Sequence, residues 1–250
     1  MTRRLVARYF CPVDDWPGRP WERMARVLEH TARKHCSGWS IEVREMPVPA
    51  ENPVRGAHAV ANTAKLEEWT RAVLEAEDGA RILLIDADTV ILHRLDVVWG
   101  MDFDVAYTVR PKAMWPINAG VVFLKVNERS RAFMAEWNVE NLRLFHDQAA
   151  HARVLAKWGG MNQSALGSLL DGGIVKRLGL GAIRLPCSEF NCEDSTWPEF
   201  DPKVARVLHL KGALRRTILK IGHGTPVSRP LAALWAELEL EAIEAEAKPA

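Results

Sequence analysis

The spacing of apolar residues along the chain changes between two periods, one typical of β-strands and one typical of helices. Short apolar runs predict strands at residues 4–10, 41–43, 81–85, 105–109, 121–126, 183–185 and 204–210. Apolar residues three and four positions apart predict helices that begin near residues 20, 57, 130 and 161, with a last one that begins at residue 230. Strands that alternate with helices in this way predict an α/β fold, in which helices flank a layered sheet.

The strand predicted at residues 81–85 carries the clearest signal. Its apolar residues are continuous rather than alternating, which is typical of a strand buried on both faces of a mostly parallel sheet. Ligands of open α/β sheets bind beyond the carboxyl ends of the strands. The residues that follow this run are therefore the first candidates for chemistry.

Two aspartates, Asp86 and Asp88, directly follow that strand. Two carboxylates one residue apart can share a hard divalent cation, either directly or through a ribose and water. Oxygen ligands of this kind are those that Mg²⁺ and Mn²⁺ prefer. An aspartate in this position can also cap the next turn, so the pair alone leaves a metal site and an ordinary turn both open.

Two further segments place small or amide residues next to predicted secondary structure. Residues 117–122 enter a strand through small side chains that let a ligand approach the backbone, and Asn118 offers a donor and an acceptor. Residues 159–163 precede a helix, for which Asn162 is a candidate N-cap. Gln163 has no structural role that the sequence indicates. Taken alone, residues 117–122 are better explained as an ordinary turn into a strand.

The last such segment, residues 209–215, combines a histidine with two cations. His209 at a strand end can ligate a metal through its neutral imidazole. Lys211 and Arg215 can bind a diphosphate, and Gly212 leaves room for the backbone to approach it.

Taken together and in this order, the four segments resemble the family 8 glycosyltransferases, which are glycogenin-like and lipopolysaccharide galactosyltransferase-like enzymes. Residues 84–89 resemble that family's metal-binding strand end, residues 117–121 its sugar-pocket strand, and residues 209–215 its late His-x-x-Gly-x-x-Lys segment. Lys65 and residues 185–191 match further family positions. The resemblance spans residues 4–216 and implies a GT-A fold. This is the Rossmann-like fold of nucleotide-diphospho-sugar transferases, a mixed, mostly parallel sheet flanked by helices.

The resemblance also implies a function and a set of site residues. It implies a metal-dependent hexosyltransferase that moves a sugar from a nucleotide-sugar, with a UDP-sugar expected, to a glycan, lipid, protein or small-molecule acceptor. The expected cofactor is Mn²⁺ or Mg²⁺, with the metal ligands Asp86, Asp88 and His209. The implied catalytic residues are Gln163, Asn162 and Asp88. The implied nucleotide-sugar-binding residues are Tyr9, Lys65, Asp86, Asn118, Ala119, Gly120, Lys211, Gly212 and Arg215.

Three departures from the family pattern shape the expected mechanism. Asn162 stands where the family usually has an aspartate, Arg215 and Arg216 replace a terminal Pro-Trp, and residues 7–11 lack the usual small polar side chains. The family reaction retains anomeric configuration, and double displacement needs a carboxylate near the anomeric carbon. Because Asn162 removes that carboxylate, we expect front-side attack, with Gln163 placing the sugar and the leaving phosphate taking the acceptor's proton.

Two other functions fit the same residues. In a haloacid-dehalogenase-type phosphatase Asp86 would be the nucleophile and Asp88 the acid/base, although about 80 residues precede them here and no convincing later acidic pair is present. Hydrolysis of a generic aryl phosphate discriminates this alternative. A non-catalytic nucleotide-sugar-binding protein is compatible with Asn162, and would bind the donor without turnover.

Composition places the chain among soluble globular proteins. It has 250 residues, 48% of them hydrophobic and 26% charged, with a net charge of +1. This balance predicts no nucleic-acid partner. No apolar run reaches the roughly 18 residues of a transmembrane segment, and Arg8 interrupts the apolar start, so we expect a cytoplasmic protein. The four scattered cysteines are predicted to be free thiols.

The composition changes near residue 226, which predicts a glycosyltransferase domain at 1–225 and a C-terminal amphipathic helix and tail at 226–250. Leu231, Leu234, Trp235 and Leu238 share one face of that helix, and glutamates cover the rest. The face is expected to dock on the domain or on a second subunit, which makes it a candidate for homo-oligomer formation. The sequence names no acceptor site, although tryptophans such as Trp115 and Trp197 can either stack on sugars or pack in a core.

Overall fold

The computed structural model describes residues 1–11, 20–47, 55–218 and 225–247. Its strands are β1 (Arg3–Tyr9), β2 (Ser40–Glu45), β3 (Arg81–Ile85), β4 (Thr89–Ile91), β5 (Val105–Val109), β6 (Ile117–Lys125), β7 (Ala182–Pro186) and β8 (Val207–His209). Its α-helices are α1 (Pro20–His35), α2 (Ala57–Leu74), α3 (Glu128–His146), α4 (Gln148–Trp158), α5 (Met161–Asp171), α6 (Ile174–Leu178), α7 (Cys187–Phe190), α8 (Gly212–Ile218) and α9 (Ser228–Ala247). Short 3-10 helices lie at Asp96–Gly100 and Trp197–Glu199.

A six-stranded sheet in the order β2-β1-β3-β6-β5-β7 forms the centre of the fold. β1 is parallel to both β2 and β3, and β5 is parallel to β7, whereas β6 runs antiparallel to its neighbours β3 and β5. Helices cover the faces of the sheet. The predicted α/β class, a mixed and mostly parallel sheet flanked by helices, is confirmed.

The central strand β3 is buried on both faces, as its continuous apolar run predicts. Leu83 and Ile85 pack into one core cluster, and Ile82 and Leu84 pack into another on the opposite face of the sheet. This alternation follows from the two-residue period of a strand. Trp69 and Trp137 on the flanking helices α2 and α3 are fully buried on the Leu84 side.

The strand predicted at residues 204–210 is only three residues long, and its partner strand was not predicted. β8 pairs antiparallel with β4 in a separate two-stranded sheet, and the register places His209 opposite Thr89. Residues 204 and 205 belong instead to a turn, because their backbone N–H groups donate to the carbonyl of Asp201 at 3.0 and 2.9 Å. The pairing brings the end of β8 beside the turn that contains the two aspartates.

The strand predicted at residues 121–126 begins earlier than expected. β6 starts at Ile117, so Asn118 and Gly120 lie within the strand and not ahead of it. The register of β5 against β6 shifts between Tyr107 and Thr108, which accommodates this irregular start. The backbone N–H of Asp86 donates to the carbonyl of Gly120 at 2.8 Å, which extends the β3–β6 ladder to the aspartate turn.

Helix α9 docks on the rest of the chain. Leu231, Trp235 and Leu238 are buried in a core cluster shared with α1 and α8, and Arg23 forms a bidentate ion pair with Glu239 at 2.6 and 2.8 Å. This is one of the two placements that the sequence predicted for its apolar face. The division at residue 225 and self-association through α9 stay predictions, and residues 248–250 of the predicted tail lie outside the described ranges.

Three of the cysteines are buried thiols. Cys36, Cys187 and Cys192 form no disulfide, in agreement with the prediction for them. Burial raises the pKa of Cys36 and of Cys187 to about 12, so both are protonated at neutral pH. Their role is packing.

None of the helices in the described ranges combines the length and the apolar composition that crossing a membrane requires.

Candidate active site

A cleft of about 430 Å³ opens at the carboxyl ends of β1 and β3. Twelve of the thirteen residues that the sequence singled out line it: Tyr9, Lys65, Asp86, Asp88, Asn118, Ala119, Gly120, Asn162, Gln163, His209, Lys211 and Arg215. The exception is Gly212, which begins α8 and lies outside the lining. The structure thus brings together segments that are far apart in the sequence, as ligand sites of α/β sheets do.

Asp86, Asp88 and His209 form a cluster that can hold a metal ion. One ligand atom from each residue lies within 4.8 Å of the other two. The Nε2 atom of His209 is 3.3 Å from Asp88 Oδ1 and 3.9 Å from Asp86 Oδ2. Two carboxylates and an imidazole suit Mn²⁺ or Mg²⁺ with further ligands from phosphate and water.

A chain of hydrogen bonds fixes which nitrogen of His209 faces the carboxylates. The hydroxyl of Thr108 donates to the carbonyl of Asn118 at 2.7 Å and therefore accepts from the amide nitrogen of Asn191 at 2.8 Å. The Oδ1 atom of Asn191 then lies 2.9 Å from His209 Nδ1, and an amide oxygen only accepts. The proton of the neutral imidazole is thus held on Nδ1, which leaves the Nε2 lone pair directed at Asp88, as in a metal-ligating histidine.

Gly120 makes the close approach of these groups possible. A Cβ atom at this position would lie 2.7 Å from Asp86 Oδ2, 2.8 Å from His209 Cε1 and 3.0 Å from Asn118 Oδ1. Only hydrogen fits in the space between the two ligand side chains. The donor set and this cradle both fit a small divalent cation at the cluster.

Basic side chains neutralise the two carboxylates. Lys65 donates a hydrogen bond to Asp86 Oδ1, and Arg215 lies 3.3 Å from Asp88 Oδ2. Burial raises the pKa of Asp88, but a protonated His209, together with the positive charges of Arg215 and Lys65, holds that pKa well below its usual range when no metal ion is bound. Asp88 is therefore ionised at neutral pH, as a metal ligand must be.

The charged side chains of the cleft favour an anionic ligand. They are Arg8, Lys65, Lys211, Arg215, Asp86 and Asp88, so cations outnumber carboxylates by four to two even without a metal ion. Burial and the nearby Arg110 lower the pKa of Lys211, whereas the carboxylates of Glu193 and of the two aspartates oppose that shift. A site with this excess of positive charge suits a diphosphate.

One wall of the cleft, formed by the start of α5, is neutral, and unsatisfied amides line the cleft. Asn162 is 4% exposed, and neither atom of its side-chain amide has a hydrogen-bond partner among the described residues. The same holds for the amide nitrogen of Asn118. Asn162 is not the N-cap that the sequence suggested, because α5 begins after Gly160. Buried amides without partners are groups that a ligand's hydroxyls can satisfy.

Gln163 is placed on the same wall, but part of its amide is already engaged. Its Nε2 atom donates to the backbone carbonyl of Trp158. The backbone carbonyl of Asn162 accepts a hydrogen bond from Trp137 Nε1 at 2.9 Å, which anchors the first turn of α5 in the core. This wall is therefore held in position from behind.

Sequence reasoning missed several residues of the lining. Arg8, Trp21, His58 and Asn62 also line the cleft. Arg8 had a signal, since it lies at the end of a predicted strand, but His58 and Asn62 lie on α2 with nothing in their spacing to mark them. Asn191 orients His209 and was noted only as part of a family-like segment.

The sequence matches no family model, and no curated protein matches it either. Solved structures do match. A glycosyltransferase involved in glycosylation of the major capsid of PBCV-1 is 16% identical, with a TM-score of 0.58 over 89% of this chain and 100% of that one. The glycosyltransferase GlyE of Streptococcus pneumoniae TIGR4 is 13% identical, with a TM-score of 0.63 over 96% of this chain and 60% of that one.

The galactosyltransferase LgtC, solved with donor and acceptor sugar analogues, is 11% identical, with a TM-score of 0.57 over 95% of both chains. At these identities the likeness is one of fold. The fold is that of GT-A glycosyltransferases, as the sequence predicted.

Proposed function

We propose that this protein is a metal-dependent glycosyltransferase that uses a nucleotide-sugar donor. The observation that carries the proposal is the cluster of Asp86, Asp88 and His209 at the mouth of a GT-A sheet, inside a cleft with an excess of cations. A donor of this kind has a diphosphate for the cationic side and a neutral sugar for the amide wall. The chemistry of the cleft matches both ends.

Asp86, Asp88 and His209 would hold the Mn²⁺ or Mg²⁺ ion. When bound, such an ion supplies Lewis-acid stabilisation of negative charge on the diphosphate. Lys65 holds the carboxylate of Asp86 and Asn191 holds the ring of His209, so both ligands are positioned before a substrate arrives. Preorganisation of this kind lowers the cost of reaching the transition state.

Lys211 and Arg215 bind the diphosphate from the other side. Departure of the nucleoside diphosphate increases the charge on its terminal phosphate, and fixed cations stabilise that charge best where water is excluded. Arg215 is steadied by Trp21, since its guanidinium lies 4.9 Å from the centre of that ring. We propose UDP as the nucleotide of the donor because the resembled family implies a UDP-sugar.

The sugar-binding wall supports retention through front-side attack. Among the described lining residues the carboxylates are Asp86 and Asp88, and both face His209. No described residue of the lining therefore offers a separate carboxylate for a covalent intermediate. The acceptor hydroxyl forms a bond to the anomeric carbon as the bond to the diphosphate breaks, and the hydroxyl's proton passes to the leaving phosphate oxygen. Asn162, Asn118 and Gln163 orient the sugar.

The site argues against the phosphatase alternative. A phosphatase of the haloacid-dehalogenase type needs a free nucleophilic aspartate with a later acidic pair, whereas Asp86 is paired with Lys65 and the third member of the cluster is His209. A non-catalytic binding protein would keep the same contacts without turnover. Release of UDP from a nucleotide-sugar and hydrolysis of an aryl phosphate are the two activities that separate these alternatives.

Release of UDP tests the proposal. Incubation with UDP-glucose or UDP-galactose and Mn²⁺ is expected to release UDP by transfer or slow hydrolysis, and excess EDTA is expected to abolish the release. Asp88→Asn is expected to lower the rate by about 100-fold or more, because it removes a charged ligand of the ion. Asp171→Asn, at an exposed ion pair with Lys157, is the matched control and should retain the wild-type rate.

Two results would contradict the proposal. Release of UDP that persists in EDTA and in Asp88→Asn would exclude the metal site as its cause. Hydrolysis of p-nitrophenyl phosphate without release of UDP would favour the phosphatase alternative.

A further inference from the structure

Trp115 is exposed beside the cleft, unlike the other tryptophan that the sequence named. Its side chain is 47% exposed and follows Met114, which is 64% exposed, whereas Trp197 is buried at 6%. A single exposed aromatic residue is common on protein surfaces. The backbone at Trp115, however, shows that this one is held in place.

The backbone of Trp115 is strained. Its φ angle is +54°, and it is the sole non-glycine residue with a positive φ in the described ranges. A bulky side chain rarely adopts this conformation, and such residues are found at binding sites more often than elsewhere. Its N–H donates to the carbonyl of Lys157 at 2.8 Å, and its own carbonyl accepts from Arg110 at 2.8 Å.

A buried ion pair anchors the loop that presents the ring. Arg110 lies with its Nε 3.1 Å from Glu193 Oε1, and both side chains are almost fully buried. The same guanidinium donates to the carbonyl of Ile117 at 3.0 Å, and the backbone N–H of Arg110 donates to the carbonyl of Pro116 at 2.8 Å. Because these contacts hold the loop at Arg110 and at Ile117, its exposed tip keeps one orientation.

The ring lies at the sugar end of the cleft. A Cβ atom on Gly159 would be 3.1 Å from the indole ring, so the ring rests on the backbone of Gly159. The next residues, Gly160 to Gln163, line the cleft and include Asn162. Trp115 itself lies outside that lining, but its contact with Gly159 places it next to the segment that carries Asn162 and Gln163.

We propose that Trp115 is the platform of an acceptor subsite, and that the acceptor is a carbohydrate. This rests on the proposed function. The apolar face of a pyranose ring packs on the exposed indole, and a hydroxyl of that sugar then reaches the anomeric carbon held by Asn162 and Gln163. That hydroxyl oxygen forms the new glycosidic bond, while the bond to the diphosphate breaks and the proton leaves with the phosphate. A flat, uncharged, rigid surface suits a sugar ring.

Ring-removing and ring-preserving variants test this assignment. Binding of methyl β-D-glucopyranoside, maltose and lactose is measured by titration calorimetry and saturation-transfer NMR, with UDP and Mn²⁺ present. Trp115→Ala and Trp115→Gly are expected to weaken binding of the best of these sugars by about tenfold, and Trp115→Phe by less than about threefold. Because glycine also relieves the positive φ, equal losses in the two variants assign the effect to the ring.

The controls separate this inference from the proposed function. Stabilisation by the nucleotide-sugar is expected to be unchanged in every Trp115 variant, and Val139→Ala, at a 63% exposed position on α3, should bind both ligands like the wild type. Unchanged sugar binding in Trp115→Ala would overturn the inference. So would a wild-type chain that binds a nucleotide-sugar but none of the three carbohydrates. A wild-type chain that binds no nucleotide-sugar would overturn both proposals.

Discussion

Gly120→Ala is expected to lower the rate of metal-dependent sugar transfer by about 100-fold or more. The new methyl group would lie 2.7 Å from Asp86 Oδ2 and 2.8 Å from His209 Cε1, well inside van der Waals contact. At least one ligand side chain must move, and a displacement of about 1 Å in a preorganised site costs about 100-fold in rate. The measurement is the Mn²⁺-dependent release of UDP from a UDP-sugar.

In Gly120→Ala neither Asp86 nor His209 can move aside without losing the hydrogen bonds that hold it. Asp86 is held by Lys65 and by the hydrogen bond from its own backbone to the carbonyl of Gly120, and His209 is held by Asn191. Gly100→Ala is the matched control, since a Cβ at this exposed position meets no atom within 4 Å. Equal rates in the two alanine variants would show that the cluster of Asp86 and His209 is not the site of the reaction.

Of the substitutions proposed, Gly167→Ala is expected to lower the free energy of unfolding most. Its Cβ would lie 2.1 Å from Cδ2 and 2.5 Å from Cγ of the Trp158 ring, which is 6% exposed in the core. Because these atoms are near the base of the side chain, the whole ring or helix α5 must shift. Overpacking of this severity costs about 3 kcal/mol of the free energy of unfolding. For a chain of this size, that lowers Tm by about 6–12 °C.

The same substitution is expected to weaken donor binding, because the carbonyl of Trp158 accepts the hydrogen bond that holds Gln163. Differential scanning calorimetry of Gly167→Ala and of the control Gly100→Ala measures the first effect, and the stabilisation of each by a nucleotide-sugar measures the second. A Tm of Gly167→Ala within about 2 °C of that of the control would contradict the described packing of Trp158.

The sheet could be predicted from the sequence because its main strands are short runs of apolar residues. The run at residues 81–85 is apolar at every position, and a strand with this pattern must be covered on both faces. The aspartate turn could be placed at the sheet edge for the same reason. Asp86 and His209 could be predicted because they lie at the ends of predicted strands, and Asn118 because it lies where the chain enters one.

Other parts of the site depend on contacts between residues far apart in the sequence. Strands β4 and β8 are three residues each, too short for a period to be recognised, yet their pairing brings His209 to Asp88. The orientation of the His209 ring depends on Asn191, which follows α7, and through it on Thr108 of β5. The positive φ of Trp115 had no sequence signal at all, because glycine or asparagine is the residue expected in that conformation.

Thermal stabilisation by nucleotide-sugars, with and without Mn²⁺, tests the central claim most directly. A ligand at a hundredfold excess over its Kd adds about 2.7 kcal/mol to the free energy of unfolding, which raises Tm by about 5–11 °C in a chain of this size. We predict that at least one nucleotide-sugar produces this shift in the wild type with Mn²⁺, and that the shift is lost in EDTA and in Asp88→Asn. A wild-type chain that no nucleotide-sugar stabilises, or a shift that needs neither Mn²⁺ nor Asp88, would contradict the account.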